Sequence, residues 1–217
     1  MTIRSWIAGK LSDEYDVELE GDHGLRIKRP ARPTGFVYCV EKNGSNPFRI
    51  DNFEAARQEM PTVEFVVLVR REAENEVYKR AEQLGLCVSG FSDLQTALSS
   101  NDDISDYLSR EQTYLRGRLT GNRHVSSVRR IGELAYEISR QDELESLNIV
   151  AISHYELTSD TVYDLLERND DLGVKAIVST NPNCEGFAPE VLEAGAQTGT
   201  KILPLKYFLQ SLGGTWT

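Results

Sequence analysis

The strongest constraint on this chain is an order of elements that occurs twice. Apolar strands alternate with helical stretches over residues 36–98, as strand and helix three times in turn, and the same order returns over residues 148–212. Laid over each other at one constant offset and without a gap, the two stretches match Glu76-Val77 with Glu190-Val191, Gln83 with Gln197, Gly85 with Gly199 and Leu98 with Leu212. A matched order at a fixed offset points to an internal duplication. Strands alternating with helices predict an α/β protein with a mostly parallel sheet flanked by helices. Gly85 and Gly199 each stand where a left-handed residue would end a helix.

The first related unit is expected over residues 15–98 and the second over 148–212. Residues 5–11 read as a short helix, 15–20 and 25–28 as strands joined by a turn, 36–40 as a buried strand and 51–60 as a helix. Between the copies, Ile104, Leu108, Leu115 and Leu119 fall on one helical stripe, with Tyr107 and Tyr114 beside it as expected core residues. Val125, Val128, Leu134 and Ile138 follow as the inward face of a second helix. The expected organisation is therefore two halves, residues 1–100 and 148–217, joined by a helical connector over 101–147.

Composition narrows the function classes. The hydrophobic share of 40% and charged share of 27% suit a globular protein with a real core. No run of about 18 apolar residues exists, so no membrane span is expected, and charge at Lys10, Asp13 and Glu14 argues against a secretory signal. Cys39, Cys87 and Cys184 are far apart and lack paired spacing, which fits core thiols in a reducing, cytoplasmic compartment. His23, His124 and His154 are scattered, so no metal cluster is expected. Neither a phosphate-binding G-x-x-x-x-G-K loop nor a G-x-G-x-x-G opening a helix is present. The formal charge of -10 argues against a generic nucleic-acid coat.

Gly21-Asp22-His23-Gly24-Leu25-Arg26-Ile27 lies about ten residues before the strand Val37-Tyr38-Cys39-Val40, and helix, apolar strand, helix and strand follow. This arrangement resembles the Mrr-type restriction endonucleases of the PD-(D/E)XK superfamily. The second half is similar to the tail of that pattern, in the strand ending at Thr180-Asn181, the helix through Glu190 and the closing segment 201–208. The resemblance implies two restriction-endonuclease-like halves. It also implies a site in which an Asp from a hairpin and an acidic or amide group on the next strand hold Mg²⁺, with a Lys two positions on assisting water.

Against that implied site the chain departs from the pattern. Arg26 stands at the Asp place, and Tyr38 and Val40 stand at the two places of the Q-x-K motif. In the second half, strand 149–153 carries no carboxylate, amide or lysine, and the hairpin that would supply an Asp is expected to be missing. No catalytic, metal or cofactor residue is assigned on this reading. A fallback site of Asp22, Glu41 and Lys42, with Mg²⁺, needs a shifted strand register, and a shift of one turns the side chains to the other face.

Basic residues supply the other candidate. Arg116, Arg118, Arg123, Arg129 and Arg130, with Arg110 and His124, group in the central segment and could track DNA phosphates, or else pair with Glu111, Glu133 and Glu137. Arg26, Lys28, Arg29 and Arg32 form a smaller group on the first hairpin. Thr180-Asn181-Pro182 is read as a structural loop at a strand end. Three functions remain open: a catalytically inactive nuclease-fold protein binding DNA or a partner in DNA metabolism or defence, an active Mg²⁺-dependent endonuclease with a displaced site, and a structural or regulatory α/β protein. A protein partner or a homo-oligomer is compatible with each.

Overall fold

In the computed structural model, which describes residues 1–153 and 157–216, the chain divides into two units, Met1–Tyr107 and Leu108–Thr217. His154 lies outside the described residues. The first unit runs α1 (Ile3–Leu11), β1 (Asp16–Glu20), β2 (Gly24–Arg29), β3 (Arg32–Val40), α2 (Ile50–Glu59), β4 (Phe65–Leu68), α3 (Asn75–Leu84), β5 (Cys87–Gly90) and α4 (Phe91–Ser100). The second runs α5 (Arg110–Thr120), β6 (Val125–Arg130), β7 (Ala135–Arg140), β8 (Leu147–Ile152), α6 (Ser159–Glu167), β9 (Ala176–Ser179), α7 (Pro189–Thr198), β10 (Lys201–Pro204) and α8 (Leu205–Ser211). The same order of elements thus runs through the whole of each unit.

Each unit holds one five-stranded mixed sheet in chain order, β1-β2-β3-β4-β5 and β6-β7-β8-β9-β10. The first three strands of each sheet form an antiparallel meander, and the expected parallel run is confined to the last three. The central parallel strands β4 and β9 are buried on both faces, which is why they are continuous apolar runs. In the first unit α1 and α4 cover one face, through Ile7, Leu11, Leu94 and Leu98, while α2 and α3 cover the other, through Phe53 and Val77. The second unit repeats this layering with Leu115, Leu119, Phe208 and Leu212 on one face and Val162 and Val191 on the other. Gly85 (φ 65°) and Gly199 (φ 69°) close α3 and α7 in the left-handed conformation, as their positions predicted.

The helical connector is corrected. Residues 108–147 belong to the second unit, and the segment expected as a second helix is the β6–β7 hairpin. The cause is a bulge. The register shifts between Val125 and Ser127, so Val125 and Val128, three apart, both turn inward and imitate helical spacing. The hairpin expected to be missing from the second half is therefore present.

Two buried arginines play matching parts, one inside each unit. Arg29, at the end of β2, donates to the carbonyls of Pro33, Leu98, Asn101 and Asp102. Arg140, at the end of β7, donates to those of Glu145, Leu212 and Gly214. Arg29 thus leaves the basic group on the first hairpin and becomes a clamp on the end of α4. Burial lowers the pKa of both guanidinium groups from the usual value.

Candidate functional site

Strand register shows how the residues named from the endonuclease resemblance lie relative to one another. Arg26 lies opposite Phe36, two residues before Tyr38, and Glu137 lies opposite Asn148, two residues before Val150. Arg26, Tyr38 and Val40 in the first unit are thereby matched by Glu137, Val150 and Ile152 in the second. Arg26 faces Glu18 at 3.8 Å and the Phe36 ring at 5.9 Å. Tyr38 and Val40 are packed in an apolar cluster beneath α2 and α3. Glu137 is held by Arg129, and Val150 and Ile152 are buried among aliphatic side chains.

A polar cluster forms beside Tyr38. The His23 imidazole lies 3.0 Å from Glu59 Oε2 and stacks on the Tyr38 ring at 5.3 Å, while the Tyr38 phenol donates to the same oxygen at 3.3 Å. The backbone N–H groups of Asp22 and His23 donate to Glu59 Oε1 at 3.1 and 3.0 Å. Burial pushes the Glu59 carboxyl up, but the His23 imidazole and these two N–H groups outweigh it, and its pKa falls below the usual carboxylate value. Burial, then the Glu59 charge and hydrogen bond, raise the Tyr38 phenol far above its ordinary value. Glu59 could not be assigned from sequence, because it stands on α2, 36 residues from His23.

The fallback residues are engaged elsewhere. The Glu41 carboxylate accepts from the N–H groups of Ile3 (2.9 Å) and Arg4 (3.3 Å) and so caps α1. The Arg4 guanidinium in turn donates to the Gly21 carbonyl. Lys42 is exposed, on a shallow cavity with Trp6 and Arg70.

The central arginines separate by role. Arg116 donates to the Val128 carbonyl at 3.5 Å, and Arg130 to those of Gly132 and Glu133, both at 3.1 Å. Arg129 pairs with Glu137. Arg123 donates to His124 at 3.1 Å and is exposed, and Arg118 is exposed on the last turn of α5. On the first hairpin, Lys28 is taken up by Asp16 and Glu18, and Arg32 by Asp102.

Arg118 opens onto a cavity of about 520 Å³ in the second unit, at the C-terminal ends of β9 and β10. Tyr114, Asn181, Lys206 and Tyr207 share its wall, and Cys184 and Glu185 complete its rim. Open α/β sheets bind ligands at this end of their strands. Three expectations change here. Tyr107 is buried as expected, whereas Tyr114 is 44% exposed on the cavity. Cys39 and Cys87 are core thiols, whereas Cys184 is partly exposed. The loop after Thr180 is a cavity wall as well as a connection. Lys206 and Tyr207 had no local sequence signal, since only the fold brings them to Arg118.

No protein family, curated protein or solved structure matches this chain. Among the described residues, no helix is long and apolar enough to cross a membrane.

Proposed function

We propose that the chain is a catalytically inactive, duplicated nuclease-fold protein that works by binding DNA. The observation that carries this reading is what fills the expected metal place of the first unit. A cation, Arg26, stands where a carboxylate would ligate Mg²⁺, the Tyr38 phenol is spent on Glu59, and the Glu41 carboxylate is taken up by the N–H groups of Ile3 and Arg4. Cations at such a place repel a divalent metal, and an aliphatic Val40 cannot activate water. In the second unit the one carboxylate at these places, Glu137, is neutralised by Arg129.

Arg118 and Arg123 are the phosphate-binding residues this reading selects, because both are exposed and neither holds a backbone carbonyl. In so acidic a protein, attraction to DNA depends on such a local patch. Anisotropy titration of a labelled duplex across a salt series tests the reading. The R118A/R123A protein should bind more weakly to all sequences, with a salt slope lower by about 2, roughly 0.9 for each phosphate no longer neutralised. Mg²⁺-dependent cleavage abolished by D22A or E41A would overturn the inactive assignment. Affinity unchanged in R118A/R123A would remove DNA from it.

A further inference from the structure

The cavity beside Arg118 differs from its counterpart in the first unit in a way that specifies a ligand. Ile7 and Leu11 of α1 are matched by Leu115 and Leu119 of α5, which puts Trp6 opposite Tyr114 and Lys10 opposite Arg118. The match of α4 with α8 puts Phe91, Ser92 and Asp93 opposite Leu205, Lys206 and Tyr207. In the first unit the indole of Trp6 packs edge-on against Phe91 at 4.9 Å, and the cavity beside it, lined also by Val69 and Arg70, is about 320 Å³. Asp93 is consumed by hydrogen bonds from Ser89 and the Tyr107 phenol. In the second unit the same two positions hold a smaller ring and an aliphatic side chain, and the cavity is larger, about 520 Å³. Lysine and tyrosine replace serine and aspartate at its mouth.

The lining has the parts of a nucleotide site and little else. Tyr114 and Tyr207, 44% and 49% exposed, carry rings of the kind on which bases stack, and the Lys206 ammonium lies over the Tyr207 ring at 5.8 Å. Arg118 and Lys206 supply charged donors for a phosphate, against one carboxylate, Glu185, among the described lining residues. Asn181 accepts through Oδ1 from the Asn183 N–H at 2.9 Å, which leaves its amide NH₂ group for a base or sugar edge. A volume of about 520 Å³ lies in the range of small-ligand sites. Two cations and one carboxylate suit a monophosphate carrying roughly two negative charges, whereas a triphosphate would exceed them.

We infer that the cavity between α5, the β9–α7 loop and α8 binds a nucleoside monophosphate unit, with the phosphate on Arg118 and Lys206 and the base against Tyr114 and Tyr207. Such a unit comes from two sources, a free mononucleotide or the 5′-phosphorylated end of a strand. The inference rests on the cavity and stands apart from the inactive-nuclease reading.

Isothermal titration of the full chain with deoxyadenosine monophosphate tests it, with deoxyadenosine and inorganic phosphate as controls. The mononucleotide should bind saturably, and each control at least about tenfold more weakly, since neither engages both the rings and the cations. K206Q and Y207A, both at exposed positions, should each weaken mononucleotide binding by about tenfold without lowering the melting temperature. N181A supplies a third variant if either fails to fold. A 5′-phosphorylated single strand binding more tightly than both the mononucleotide and the same strand with a 5′-hydroxyl assigns the site to strand ends. The mononucleotide binding as tightly as the phosphorylated strand assigns it to free nucleotides. No saturable mononucleotide binding, or binding unchanged in K206Q and Y207A, would overturn the inference even if duplex binding persisted.

Discussion

The guanidinium of Arg140 donates to the carbonyl of Leu212 at 3.1 Å, and the same hydrogen bond recurs between Arg29 and Leu98 at 3.3 Å. Leu98 and Leu212 are the last pair in the constant offset that marks the duplication, so sequence repeat and hydrogen-bond repeat meet at one carbonyl. A buried arginine that satisfies three or four carbonyls leaves them stranded when it is removed. R140M should therefore cost roughly 2–4 kcal/mol, read from urea denaturation. R140K should recover little of it, because a single ammonium cannot reproduce the planar fork. A loss under about 0.5 kcal/mol, the range of ordinary surface substitutions, would show that Arg140 does not fasten α8.

Glu41 separates a catalytic from a structural role in one substitution. Its carboxylate satisfies two N–H groups at the start of α1, where orphan donors and the helix dipole favour an anion. E41A should lower stability by about 1 kcal/mol, as loss of a helix cap does. Incubation of the wild-type protein with duplex and single-stranded DNA in Mg²⁺ or Mn²⁺ should leave both intact.

The His23–Glu59 pair gives a pH dependence with a definite sign. The folded Glu59 carboxyl has its pKa below the ordinary value. Its stabilisation is therefore complete above the unfolded value of about 4.3 and is lost as pH falls through the lower folded value. Urea midpoints of the wild type should fall over that acid window more steeply than those of E59Q. Parallel acid limbs would show that the pair contributes nothing to folding.

Domain boundaries make the fourth prediction. A fragment of residues 108–217 keeps all five strands of its sheet and should unfold cooperatively by circular dichroism. A fragment starting at residue 148 loses Leu115, Leu119, Val128 and Ile138 from the core and exposes the edge of β8, and should show no cooperative transition.

The parts of the fold legible in the sequence were those whose burial is simple. β4 and β9 show as short apolar runs because helices cover both their faces, and Gly85 and Gly199 mark helix ends because their backbone demands it. The β6–β7 hairpin was misread because its bulge gives Val125 and Val128 a spacing of three, which a periodicity argument assigns to a helix. At the site, Arg26, Tyr38 and Val40 could be placed because they lie within one local hairpin. Glu59, Lys206 and Tyr207 could not, since each reaches its partners only through sheet topology. The basic cluster was visible as composition, but its division into carbonyl-bound Arg116 and Arg130, paired Arg129 and exposed Arg118 and Arg123 depends on the hairpin that was missed.

Strand order that follows chain order bears on how the protein is made. In both sheets each new strand joins the open edge left by the one before, and none must be inserted between two already paired. As the chain emerges from the ribosome, β1 to β5 can assemble in the order of synthesis, and the long-range hydrogen bond of Arg29 with Leu98, 69 residues apart, closes only when the end of α4 arrives. The first unit can be complete before β6 exists, which keeps its unfinished edge from capturing the matching strands of the second copy. For a chain built from two like halves, that timing guards against the misassembly to which repeats are prone.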